Sequence, residues 1–138
     1  MIAYVDASVL LRVLLGQPDA LADWRRIERA VSSELVRVEC LRTMDRLRAR
    51  AQLDERAYGR RRSEIIEALD AIELVPLAWS VLDRAADPFP TTVGTLDAIH
   101  LATALAVRDQ LPGMVLATHD GALGLAATAM GIEVRGLG

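Results

Sequence analysis

The chain contains no lysine; all 16 of its basic residues are arginine. A receiver-type domain, which needs a suitably placed lysine, is therefore excluded. A DxD-type phosphatase is excluded as well, because no paired DxD follows the first apolar run, and no Gly-rich loop is present to cradle a phosphate. The single cysteine, Cys40, cannot form an internal disulfide and fits a reducing cytoplasm. No apolar run approaches the roughly 20 residues that cross a bilayer. The amino terminus, MIAYVDASVL, has no basic region ahead of its apolar stretch and runs straight into Asp6, so it does not read as a secretion signal. A net charge of −3 does not suggest a general nucleic-acid binder.

What is present is an ordinary globular composition, 52% hydrophobic and 25% charged. At 138 residues it suits one domain spanning 1–138 with a full core. The arginines are unevenly spread. Nine of them (Arg37, Arg42, Arg46, Arg48, Arg50, Arg56, Arg60, Arg61 and Arg62) fall in one segment that carries only four acids, Glu39, Asp45, Asp54 and Glu55. Such a stripe suits phosphate contact, and equally suits a solvated helix face.

Strand-like and helix-like segments alternate. Met1–Val5, Ala30–Ser33, Ala71–Leu77, Met114–Thr118 and Ile132–Arg135 read as strands. Ala7–Leu15, Ala20–Arg29 (with Leu21, Trp24 and Ile27 as its apolar positions), Glu34–Ala51, Asp54–Asp70, Ala78–Ala86, Leu96–Ala106 and Asp120–Met130 read as helices. Thr95 is the expected N-cap of the helix that contains Asp97. This alternation predicts an α/β fold of three layers, α/β/α, around a central, mainly parallel sheet of four to five strands. Ligands in such folds sit beyond the carboxyl ends of the strands.

The stretch LDAIHLATAL concentrates the chemistry. An almost wholly apolar helix carries Asp97 in its first turn and His100 one turn later. A buried carboxylate is costly unless a helix dipole or a cation offsets it. Asp6 ends the first strand, and Asp120 lies just past Thr118 at the end of another, so both project at the same sheet edge. Glu39 points away from the apolar stripe of its helix (Cys40, Leu41, Met44, Leu47, Ala51) and shares a face with Arg46 and Arg50. Four converging carboxylates repel one another unless protonated or holding a divalent cation. All-oxygen ligands select Mg²⁺ or Mn²⁺, whose usual chemistry in such a site is phosphoryl transfer to water. His100 reads as a hydrogen-bonded core residue and His119 as a surface one. Taken singly, Glu39 reads as a solvated helix residue and Asp120 as a helix cap.

The motifs YVDAS, SELVRVECLR, LDAIHLATAL and ATHDGAL, in that order along almost the whole chain, resemble a PIN domain. More narrowly they resemble the VapC toxins of prokaryotic toxin–antitoxin pairs. The resemblance implies that Asp6, Glu39, Asp97 and Asp120 are the catalytic, metal-holding acids, with Ser8 and Thr118 as supporting hydroxyls. It implies a Mg²⁺- or Mn²⁺-dependent endoribonuclease that leaves 5′-phosphate and 3′-hydroxyl ends and arrests translation. It also implies an RNA substrate, a cognate VapB-type antitoxin, a homodimer, and no membrane association. Arg46 or Arg50 would guide the RNA backbone. With only five aromatics (Tyr4, Trp24, Tyr58, Trp79 and Phe89), base stacking is poorly supplied, so RNA shape and phosphate placement would set selectivity. The alternative is a PIN-like binding module that holds a protein or RNA without cutting it.

Overall fold

The structure, a computed structural model, describes residues 1–138. Eleven elements alternate along it: β1 (Ile2–Val5), α1 (Ala7–Leu14), β2 (Arg29–Ser33), α2 (Leu35–Ala49), α3 (Glu55–Asp70), β3 (Glu73–Val75), α4 (Trp79–Ala86), α5 (Thr95–Val107), β4 (Val115–Ala117), α6 (Gly121–Ala129) and β5 (Val134–Arg135). The five strands form one sheet in the order β3-β2-β1-β4-β5, every pair parallel. Parallel neighbours need crossovers, and these place helices on both faces.

The period-2 alternation of β1 divides the core. Ala3 and Val5 face one side, where Val9 and Leu10 of α1, Val36, Cys40 and Met44 of α2, and Ile65 and Leu69 of α3 bury their side chains. Tyr4 faces the other side, among Leu101 and Ala104 of α5 and Leu123, Ala126 and Ala127 of α6. The small residues of α6 (GALGLAATA) suit close approach to the sheet. The α4 helix packs chiefly against α5. The expected three-layer α/β/α fold is thus observed, with all strands parallel.

Three local expectations fail. Ala20–Arg29 is not a helix; only a 3₁₀ turn forms, at Trp24–Arg26. Leu21, Trp24 and Ile27 recur at a spacing of three, which a 3₁₀ turn satisfies as well as an α-helix does. The chain must also straighten there, because Glu28 donates its N–H to the Met1 carbonyl (2.9 Å) just before Arg29 comes into register with Ile2. Thr95 is not the cap of α5: Gly94 occupies that position and no side chain caps the helix. Ala51 lies beyond the end of α2, exposed, in the left-handed region at φ 55°.

The strand order reverses at β1. The chain leaves β1 for β2 on one side, and β4 is inserted on the other. The crevice beyond the carboxyl ends of β1 and β4 is therefore where a parallel α/β fold presents a ligand site.

Candidate active site

Asp6 follows β1 at that crevice. It is 4% exposed and has no cationic partner. Its Oδ1 accepts from the Val9 N–H (3.1 Å), capping α1, and from Ser8 Oγ (2.6 Å). Its Oδ2 accepts from Thr118 Oγ1 (2.5 Å), which reaches across from the end of β4. Each hydroxyl is fixed from behind by the next turn. The His119 N–H donates to Ser8 Oγ and the Asp120 N–H donates to Thr118 Oγ1, both at 3.0 Å. Three donors of this kind satisfy the hydrogen-bonding capacity that a buried carboxyl group would otherwise leave unmet.

Asp120 caps α6, its Oδ1 accepting from the Leu123 N–H at 2.9 Å. Asp97, in the first turn of α5, accepts no hydrogen bond from the protein and is partly buried. Its pKa rises from the ordinary 3.8 to about 6, first through burial and then through the negative charges of Asp120 and Asp6; His100 pulls it back slightly, and Glu39 adds a smaller push upward. The buried Cys40 thiol is pushed up to about 12 by burial, then by Glu39 and Asp6. Asp97 therefore lies within electrostatic reach of the other three acids. None of them pairs with an arginine.

Glu39 sits in the second turn of α2 with its side chain 19% exposed. It is neither solvated nor free. Its Oε1 meets His100 Nε2 at 2.5 Å, and His100 Nδ1 meets the Tyr4 hydroxyl at 2.7 Å. His100 is a buried, hydrogen-bonded residue as expected, but its bond runs to a site acid on another helix. Burial raises the Tyr4 hydroxyl pKa well above 10, so it remains an O–H donor.

His119 is half-buried and lines a surface cleft, but its ring is held by the chain's carboxyl end. Thr118 pairs its N–H with the Arg135 carbonyl, which brings the Gly136 carbonyl within 2.8 Å of His119 Nδ1. Arg46 and Arg50 lie outside the acidic cluster. Arg46 is exposed and donates to Thr43 Oγ1 (2.9 Å), and Arg50 caps the far end of α2. At 1.5 Å per residue they are about 10 Å and 16 Å along the helix from Glu39.

No three His, Cys, Asp or Glu side chains stand as a ready-made ligand cage. None of the main surface clefts is lined by any of the four acids. The arrangement is a group of oxygen donors outside the main clefts, with no arginine paired to any of them. It suits a hydrated hard cation, because Mg²⁺ keeps several waters and takes only one or two protein carboxylates directly. It also suits a substrate that lies across a surface rather than one engulfed in a pocket.

A parallel α/β/α sandwich with acids from β1, α2, α5 and the β4–α6 turn at its switch point defines a class that the comparisons resolve. A model of the PIN domain family matches residues 3–127. Ribonuclease VapC47 of Mycobacterium tuberculosis (strain CDC 1551 / Oshkosh) is 31% identical over 123 residues, covering 84% of each chain. Ribonuclease VapC46 of M. tuberculosis (strain ATCC 25618 / H37Rv) is 33% identical over 134 residues, covering 95% of this chain and 94% of that one. A toxin–antitoxin complex from Klebsiella pneumoniae shares the fold, with a TM-score of 0.68 at 15% identity over 92% of this chain and 93% of its own. The chain belongs to the PIN-domain family and, within it, to the VapC type. No helix is long and apolar enough to cross a membrane.

Proposed function

We propose that this protein is the endoribonuclease toxin of a VapBC-type toxin–antitoxin pair, that it depends on Mg²⁺ or Mn²⁺, and that it acts in the cytoplasm to inhibit translation by cutting RNA. The observation that carries the metal dependence is Asp97: a carboxylate pushed up first by burial and then by the charges of Asp120, Asp6 and Glu39, with no guanidinium among them. Such a site is relieved by a divalent cation.

Asp6, Asp97 and Asp120 would hold that cation directly or through water, with Glu39 as the fourth ligand or as the group that orients the attacking water. When bound, the cation supplies charge stabilisation for the attacking and leaving oxygens of the phosphodiester. Ser8 and Thr118 keep Asp6 in one rotamer, so its oxygens are already aimed when substrate arrives. Asp120 is fixed by its capping bond, which leaves Oδ2 for the site. The water oxygen bonds to phosphorus as the P–O3′ bond breaks, giving a 5′-phosphate and a 3′-hydroxyl. Arg46 and Arg50, both without an acidic partner, would follow the RNA backbone away from the cut.

A VapB-type antitoxin would cover the acids with a basic or bulky side chain. Exposed Val38 and Leu96, next in sequence to Glu39 and Asp97, offer it apolar contact. Homodimerisation would use an apolar face, for which Trp79, 76% exposed, and Leu77 at the start of α4 are available. One feature favours the rival reading of a non-catalytic binding module: Glu39 is engaged by His100 and stands in no ready cage.

The deciding experiment incubates purified, antitoxin-free protein with total cellular RNA, with and without Mg²⁺ or Mn²⁺, and maps the ends. Discrete cuts with 5′-phosphate ends that vanish in EDTA are expected. RNA binding without cleavage at millimolar metal would instead favour the binding module.

A further inference from the structure

His100 has both ring nitrogens committed to side chains, which is unusual for a residue that only fills a core. The Glu39 carboxylate can only accept, so Nε2 carries a hydrogen and donates to Oε1, while Nδ1 shares a second hydrogen bond with the Tyr4 hydroxyl. The hydrogen-bonded chain links Tyr4, His100 and Glu39 and stops at Oε1. Glu39 Oε2 takes no hydrogen bond from the protein. Tyr4 is rigid: it lies in the central strand, fully buried, packed edge-on against the His100 ring at 5.8 Å between centroids. Its place on β1 is also the same face as Asp6, two residues on, so one strand anchors both acids.

We propose that Tyr4 and His100 form a positioning relay, which clamps Glu39 through Oε1 and presents Oε2 to the cation and its waters. The relay rests on the metal-dependent reading above. Without it, the half-buried Glu39 side chain would lose the bond that fixes its rotamer. A histidine that orients a carboxylate in this way sets metal affinity without touching the metal, and losing such an outer partner lowers affinity or activity by roughly 10- to 100-fold.

The test is calorimetric titration of Mn²⁺ into the RNA-free protein, together with cleavage measured as a function of Mn²⁺ and of RNA. His100→Ala should weaken Mn²⁺ binding by about 10- to 100-fold, while KM for RNA at saturating Mn²⁺ stays unchanged. His100→Gln, which can still offer an N–H to Glu39, should recover part of the loss. Tyr4→Phe, which keeps the ring and removes only the hydroxyl, should weaken binding by a smaller factor, and it decides the matter if His100→Ala does not fold. In a Glu39→Gln background, His100→Ala should cost nothing further. Mn²⁺ binding that is undiminished in the His100 and Tyr4 variants, or an additive loss in the double variant, overturns the relay and leaves the metal site standing. Absence of Mn²⁺ binding by the wild-type protein overturns both.

Discussion

Thr118 Oγ1 donates to Asp6 Oδ2 at 2.5 Å, joining the ends of two neighbouring parallel strands through a buried carboxylate. The same hydroxyl accepts the Asp120 N–H, so one threonine sets the rotamer of one acid and the backbone of another. Residues 112 positions apart are thereby locked into a single constellation.

Asp6→Asn keeps an oxygen to accept the Val9 and Ser8 bonds, and its amide can donate to Thr118. Stability should change by no more than about 2 kcal/mol. Loss of one charge at the cation should lower cleavage by roughly 10²- to 10³-fold. Thermal melts and an RNA cleavage time course check the pair of outcomes.

Asp120 combines two roles that substitution can separate. Asp120→Asn retains a good N-cap and should melt close to wild type while cleavage falls. Asp120→Ala should lose cleavage and also about 1 kcal/mol of stability through the missing cap on α6. Equal stability in the two variants would contradict the capping assignment.

The pKa of Asp97 gives a signed pH dependence. Its folded value, about 6, lies above the ordinary 3.8, so folding favours the protonated form. The favourable contribution is complete below pH 3.8 and is lost as pH rises through 6. Above that, the metal-free protein carries an unrelieved carboxylate. Asp97→Asn should therefore raise the melting temperature of metal-free protein at pH 8, with the gain shrinking towards pH 4. Mn²⁺ should stabilise wild type more at pH 8 than at pH 5.

Arg46→Ala with Arg50→Ala should weaken RNA binding and leave Mn²⁺ binding intact, since both lie well along α2 from Glu39. If each contacts one phosphate of a single strand, the slope of log affinity against log salt should fall by about 0.7 per arginine. An unchanged slope would assign them to the solvated face.

The fold was legible because strand and helix periodicities are steep here. MIAYV and MVLAT are short apolar runs ended by Asp6 and Thr118, and Pro, Gly and Asp punctuate nearly every element boundary. The segment around Trp24 was not legible, since a spacing of three fits a 3₁₀ turn and an α-helix equally until the pairing of Glu28 with Met1 is known. The acids were singled out by their order and by the strand-end rule. The Glu39–His100 bond was hidden, because which face of α2 meets α5 is a tertiary outcome that neither helix encodes alone. Tyr4 did offer a signal: a buried tyrosine needs a partner for its hydroxyl, and period-2 geometry puts it on the face of Asp6.

The most direct measurement is anomalous diffraction at the manganese edge from crystals soaked in Mn²⁺ without antitoxin. An anomalous peak is expected beyond the ends of β1 and β4, within direct or one-water reach of the carboxylates of Asp6, Glu39, Asp97 and Asp120. A well-ordered site in which those four side chains bind no manganese, with the ion absent or held elsewhere, would contradict the account.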